Sequence, residues 1–515
     1  MNTANLTRDL ADAVHQLAET TCDFSDADLE QPWRWRAHDE GVRFALIGAY
    51  HELCDLAQSL EAERARQGPS RTLAQRALAS FHAAYRDLQI LLLRRDNALF
   101  DRRPAVGEWA IRAILRHTVN TQRTFFTLVH YGLARQRNGG EQSPRLPQGE
   151  VERVLGDEAE FVEIYEQGSV AQMLAYFDRL HRRTLDEFMH ISDEEIRAPS
   201  VWWEGQPYGL RYRLQRMDAH LRQHTVQVEK TLQALGQPPN EARRLLRLVY
   251  RALADVESAL LGVPDLGRAQ REALAQRIAG YAQSAAAVTA QARALAAAVA
   301  DGDGETVEAL LADNPELANA VNHDLALLLM DAIYRGHEAI AHRLIDAGAW
   351  LGIFPASALG LEEKAKTLVE EWPERLNAVS RDGFTPLQLA CYFGRESLAL
   401  WLMEQGADIN AVAQNGQRIQ PIHAAAACGS VRLVRALLAR GADVNARQQQ
   451  DFTPLHAAAQ SGNVALAETL LDHGADLMAR DSTGRTPADV AREAQQAAVL
   501  ALLQRRQTGT TRASG

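Results

Sequence analysis

The sequence predicts an all-α chain, with helical bundles first and a solenoid of repeated helix pairs after them. Three observations predict it. The C-terminal part repeats itself: Thr385-Pro386-Leu387 returns as Thr453-Pro454-Leu455-His456, with Gln420-Pro421-Ile422-His423 between them. Gly406-Ala407-Asp408 likewise returns as Gly441-Ala442-Asp443 and Gly474-Ala475-Asp476. The period is about 33 to 35 residues, a spacing that marks stacked supersecondary units. Second, apolar residues between 71 and 235 recur at helical spacing and give four long helices, near 72–97, 108–135, 169–190 and 209–235. Third, no segment stands out as a strand.

In the repeat, each recurring residue has a physical job. Thr453 sits where a helix begins, so its hydroxyl can cap free backbone N–H groups. Pro454 fits the first helical position, where its missing N–H costs nothing. Ala457, Ala458 and Ala459 are small and let two helices approach. Gly462 ends the first helix, Leu470 and Leu471 supply the core face of the second, and Gly474 suits the left-handed residue after it. The pattern resembles the ankyrin family, which implies a protein-binding surface. Units 381–413, 414–448 and 449–481 match best. Residues 482–507 keep Gly484-Arg485-Thr486-Pro487 and read as a polar capping unit. Upstream, a unit at about 323–353 closes on Gly348-Ala349, 354–380 lacks the Thr-Pro-Leu-His motif, and 292–322 reads as a degenerate first unit. About seven units result, over 291–507.

The chain has 515 residues, a length that suggests about three domains. Its net charge of −11 argues against nucleic acid as a partner, because phosphate contact needs clustered basic charge. Lysine is confined to Lys230, Lys364 and Lys366, while arginine and alanine are abundant, as in a GC-rich bacterial genome. Cys22, Cys54, Cys391 and Cys428 are scattered without metal-ligand spacing, which fits a reduced cytoplasm. No apolar signal region opens the sequence. The alanine-rich stretch 284–300 contains Gln291 and Arg293 and is too polar and short to span a membrane, so no membrane partner is expected.

Glycine and proline cluster at 136–148 (Asn138-Gly139-Gly140, Pro144, Pro147) and at 236–239 (Gly236-Gln237-Pro238-Pro239), which marks loops or boundaries. Four helices with one long middle connection fit a bundle with a crossover. His220 and His224 lie four apart and share a helix face. Neutral imidazole suits several divalent metals. The alternative is an ordinary histidine pair at helical spacing, which 16 histidines make easy to find.

Two segments carry a second resemblance. Pro104 and Gly107-Glu108-Trp109-Ala110-Ile111-Arg112-Ala113-Ile114-Leu115-Arg116-His117 look like the start of the second helix in DinB-like proteins. His220-Leu221-Arg222-Gln223-His224, followed by Leu232 and Leu235-Gly236, look like their fourth helix. The resemblance covers about 165 residues. It implies a four-helix bundle holding a divalent metal (zinc, nickel or iron) through His117, His220 and His224. It also implies a position left for a small thiol or another small molecule. DinB-like relatives include thiol-dependent S-transferases, isomerases and hydrolases. No general base is identifiable; Asp218 and Glu229 are only near in sequence.

Residues 24–32 echo residues 191–199: Phe24-Ser25-Asp26-Ala27-Asp28-Leu29 against Ile191-Ser192-Asp193-Glu194-Glu195-Ile196, each followed by proline and tryptophans (Trp33, Trp35; Trp202, Trp203). The first 66 residues then read either as a second DinB-like half or as a chance helix–turn–helix likeness. The register places Glu52 and Leu56 where His220 and His224 stand, so this copy lacks the ligands. It could pair with helices at 240–300 as a second bundle without metal.

The expected organisation is a helical hairpin at 1–70, a DinB-like bundle at 71–237, a connector at 238–290, repeats at 291–507 and a disordered tail at 508–515. Trp109, Trp202 and Trp203 read as core or pocket wall. His423 and His456 serve repeat packing. His51, His82, His130, His181 and His190 belong to no constellation, and Cys391 and Cys428 read as inert packing. No phosphate loop, nucleophile elbow or paired-carboxylate signature occurs. Three function classes follow: a metal-dependent transferase or hydrolase, a pure interaction scaffold, and a sensor coupling ligand in the bundle to partner binding by the repeats.

Overall fold

The computed structural model describes residues 8–67, 70–140, 145–197, 199–203 and 206–513. The chain divides into two compact units, Met1–Ala292 and Arg293–Gly515. Both are helical, and no described helix is long and apolar enough to cross a membrane.

The first unit runs α1 (Arg8–Thr21), α2 (Asp26–Leu29), α3 (Arg43–Gln67), α4 (Leu73–Leu92), α5 (Asn97–Asp101), α6 (Ile111–Arg137), α7 (Glu150–Leu155), α8 (Glu158–Gln167), α9 (Val170–Phe188), β1 (Pro199–Trp203), β2 (Gln206–Gly209), α10 (Leu210–Ala234), α11 (Glu241–Ala259) and α12 (Arg268–Asp301). Local chemistry sets the starts. Thr72 opens α4 with a capping box, its hydroxyl accepting from the Gln75 N–H while Gln75 accepts from the Thr72 N–H. Ser169 opens α9 in the same way with Gln172. Gly209 precedes α10 where a Cβ would stand 2.9 Å from the carbonyl oxygens of Ile196 and Arg197, so only glycine fits.

Helices α4, α6, α9 and α10 enclose one core, with Phe81, Val119, Phe126, Phe177, Leu214 and Leu221 inside it. The predicted ranges match these four helices closely. The long connection from α6 to α9 carries α7 and α8. Helices α1, α3, α11 and α12 share a second core built on Leu17, Leu46, Leu53, Leu246, Leu253 and Ile278. Helix α4 serves both: Leu78 and Leu88 face the first core, Ile90 the second.

One expectation fails here. β1 and β2 pair as an antiparallel hairpin, with Val201 opposite Tyr208 and Trp203 opposite Gln206. The segment is too short to show a period-two pattern, and proline opens it. The echo between residues 24–32 and 191–199 has a structural counterpart. The Ser25 N–H donates to Asp28 (2.8 Å) and the Asp28 N–H to the Ser25 hydroxyl (3.2 Å); Ser192 and Glu195 exchange the same bonds at 2.8 and 3.2 Å. An isolated antiparallel bridge, Trp35 to His38, stands ahead of α3 as the hairpin stands ahead of α10. Ala198 and the side chains of Trp202 and Trp203 lie outside the described residues.

In the second unit, Thr385, Thr453 and Thr486 each cap a helix with proline at its first position. Three residues on, one side chain reaches the next repeat. Gln388 Nε2 donates to the carbonyls of Ala411 and Ile419, His423 Nε2 meets that of Ala446 at 2.9 Å, and His456 Nε2 that of Arg485 at 3.1 Å. The degenerate units keep another rung. Asn319 accepts from the Trp350 N–H as Asn377 does from Asp408 and Asn445 from Asp476, at 2.7 to 2.8 Å. Helix pairs therefore persist at Ile353–Leu359 and Glu362–Glu371 despite the missing motif.

Two further expectations need correction. The last helix runs Ala497–Ala513, past the tail expected from 508; residues 497–507 favour helix and are anchored in the core by Leu502 and Leu503, and the helix continues from them over Thr508–Ala513. Ser514 and Gly515 lie outside the described residues. Cys428 is exposed, unlike Cys391, because its position falls at the open end of its helix.

Burial holds His423 neutral, pushing its pKa down to about 4, and burial likewise lowers His456. An unfolded histidine protonates near ~6.5. Between ~6.5 and 4 the unfolded state thus binds more protons, so repeat stability falls as pH falls through that window. Gln388 shows that glutamine performs the same bridging at this register position. The double variant His423→Gln and His456→Gln is expected to fold and to flatten the dependence of the urea midpoint between pH 7 and 5, read by pulsed hydrogen exchange on peptides within 421–475. An unchanged slope would contradict this assignment.

Candidate metal centre

His117 stands on the second turn of α6, and His220 and His224 on successive turns of α10. Packing of α6 along α10 brings the three together. One ligand atom from each lies within 4.8 Å of the others. His220 Nε2 is 3.4 Å from His117 Nε2 and 3.1 Å from His224 Nε2. His220 and His224 are buried, and His117 is exposed.

Protonation follows from the partners. His224 Nδ1 lies 2.8 Å from Gln227 Oε1, an acceptor only, so Nδ1 carries the proton and Nε2 is bare. Burial, helped by His224 and His117, pushes His220 down to about 4. Burial also lowers His224, against the opposing bond to Gln227. Both are therefore neutral at pH 7, the form in which imidazole binds metal. His220 Nδ1 is buried without a hydrogen-bond partner. A single proton among the three Nε2 atoms satisfies one pair, whereas a cation at their centre satisfies all three and leaves His220 Nδ1 outside it. The donor set thus fits a divalent metal with three imidazole ligands.

Around the cluster, Trp109 places its ring against His117 (centroids 5.4 Å) and remains 44 % exposed, and Phe125 stands edge-on to His220 at 5.9 Å. Trp109 is therefore wall and not core. Neither carboxylate near in sequence serves the site. Asp218 accepts from Ser80 and Arg222, and Glu229 from Arg247, toward α4 and α11. At the matching register of α3, Glu52 is buried and accepts from Arg277 (2.8 Å) and Tyr281 (2.9 Å), beside buried Leu56.

The reading of five histidines as isolated is corrected in part. His82 and His181 are buried 2.8 Å apart, with His82 also 2.7 Å from Glu257. His130 pairs with Glu187 at 3.0 Å, and His51 stacks on Trp35. The His82 cluster joins α4, α9 and α11, so no sequence spacing announces it.

Comparison with known proteins follows this division. Residues 80–228 match the DinB superfamily. Residues 390–438 and 422–512 match ankyrin repeats. Among curated proteins, the chain is similar to ankyrin repeat and SAM domain-containing protein 6 of Rattus norvegicus, 34% identical over 101 residues. That likeness covers 20% of this chain and 11% of the rat protein, so the chain spans about a tenth of its relative. The chain joins a DinB superfamily domain to protein-binding ankyrin repeats.

Proposed function

We propose that the DinB-like bundle holds a divalent metal on His117, His220 and His224 and catalyses a thiol-transfer or hydrolytic reaction, while the repeats bind a protein partner. The observation that supports the reading best is the convergence of three imidazole nitrogens, two of them held neutral by burial. A bound metal of this kind supplies Lewis acidity that lowers the pKa of a coordinated thiol or water. The chain's own residues do the rest. Gln227 fixes the His224 tautomer and ring orientation. Exposed His117 leaves the cluster open to solvent on its side, and Trp109 and Phe125 give that side an apolar wall. On the repeats, exposed Trp350, Tyr392 and Met478 offer apolar contact area for a partner.

The reaction is tested with protein reconstituted in zinc, nickel or iron, assayed for thiol consumption against electrophiles and for ester and amide hydrolysis. Metal-dependent turnover reduced at least ~100-fold in a folded His224→Ala variant is the expected outcome. Metal-loaded protein inert across both substrate classes would leave an interaction scaffold or a ligand sensor.

Gln227→Leu leaves all three ligands in place and removes only the tautomer-setting acceptor. It is expected to weaken metal affinity about 10-fold, the low end for loss of an outer-shell partner, in competition with a chromophoric chelator. Affinity equal to the parent would show that the Gln227 bond plays no part in binding.

A further inference from the structure

The three-histidine cluster leaves one buried nitrogen unaccounted for. His220 turns Nε2 toward His117 and His224, so Nδ1 is the atom outside the cluster, and it is enclosed without a hydrogen-bond partner. A second enclosed atom without a partner lies on α6. Gln122 is 1% exposed, and its Nε2 donates to the Met217 carbonyl at 3.0 Å. That carbonyl only accepts, which fixes the orientation of the amide and leaves Oε1 as its unmet end. One of these atoms can carry a proton, and the other can only accept one. A buried polar atom left unpaired is costly, and a native one calls for an explanation.

The two atoms belong to one stretch of the α6–α10 contact. His117 meets His224 (ring centroids 4.8 Å), Gln122 meets Met217, and the Phe125 ring meets the Arg213 guanidinium at 5.8 Å. Rising numbers on α6 thus pair with falling numbers on α10, so the helices run in opposite directions. Met217 stands about one turn before His220, and a helical side chain leans back over the turn that precedes it. The His220 ring therefore leans over the turn whose carbonyl holds Gln122. From α6 the same ring is bracketed: His117, before Gln122, and Phe125, after it, lie against it at 5.3 and 5.9 Å between centroids.

We propose that Gln122 is a positioning residue for His220, its Oε1 accepting the Nδ1 proton that His220 keeps once Nε2 binds a cation. The inference rests on the metal reading of the cluster and deepens it. A neutral imidazole has one proton, so a ligand bound through Nε2 holds that proton on Nδ1. An acceptor there fixes the ring's orientation and raises its basicity as a ligand. Gln122 does for His220 what Gln227 does for His224. Its amide serves both ends, with Nε2 on the Met217 carbonyl and Oε1 on the ring. Each buried ligand then has its own glutamine, one from α6 and one from α10, while His117 is exposed to water.

The test is imidazole NMR on the full chain labelled at histidine and loaded with zinc, beside zinc affinity by competition with a chelator. In the loaded parent, two ligand Nδ1–H protons should be shielded from solvent exchange and shifted downfield as hydrogen-bonded protons. Gln227→Leu should move the His224 signal alone. Gln122→Met, which keeps the shape of the side chain and removes the acceptor, should move the other and weaken zinc binding about 10-fold. Gln122→Glu, which keeps an acceptor, should hold both the signal and the affinity near the parent's. In protein that binds zinc, an Nδ1–H signal unmoved by Gln122→Met would overturn this proposal alone. Equal losses of affinity in Gln122→Met and Gln122→Glu would also overturn it, since they would mark a packing role. A parent that binds no zinc would overturn it together with the metal reading.

Discussion

Three imidazole nitrogens facing one another inside a helical bundle carry an electrostatic cost that a shared proton removes only in part. Much of the bundle is arranged around that cost. Helix geometry points the i, i+4 pair on α10 one way, and α6 packs alongside and brings His117 to it. Burial strips His220 and His224 of their protons, and Gln227 holds the His224 lone pair inward. Each of these would be a liability in a bundle that bound nothing. Together they fit the donor set that a cation requires.

The two cores of the first unit meet along α4, and the contact is polar as well as apolar. Glu257 from α11 enters among Arg86, His82 and His181, whose own helices belong to the first core. Removing charges from water is expensive, and a buried pair is tolerated when its remaining hydrogen bonds are met. Here all but one are met, the exception being His181 Nδ1. A second polar junction joins α10 to α11 through Arg247, which binds both Asp87 and Glu229. The three-histidine bundle is therefore braced by the helix that follows it. Glu52, at the position of α3 that the echo of residues 191–199 aligns with His220, makes an ion pair with Arg277.

Much of this was legible in the sequence, for physical reasons. Helical spacing exposed the four bundle helices to within a few residues, and the Thr-Pro and Gly-Ala-Asp punctuation exposed the repeats. His220 and His224 are visible as a pair because helix geometry makes i and i+4 neighbours. His117 came from resemblance alone, since its approach depends on how α6 packs. His82, His181 and Glu257 are 99 and 76 residues apart along the chain, and nothing local relates them. The hairpin before α10 was missed because two short strands carry too little pattern. The final helix reaches further than expected because Thr508-Gly509-Thr510-Thr511 are poor helix formers and read as tail, whereas the helix carries on into them from the turns anchored at Leu502 and Leu503.

The central claim is that the three histidines hold a metal, and the most direct measurement is elemental analysis of protein purified without an affinity metal. It is made beside His117→Ala, His220→Ala and His224→Ala, each checked for folding by circular dichroism. The account predicts close to one divalent metal per chain in the parent and its loss in each folded variant. A parent that carries no metal, even after reconstitution, would contradict it.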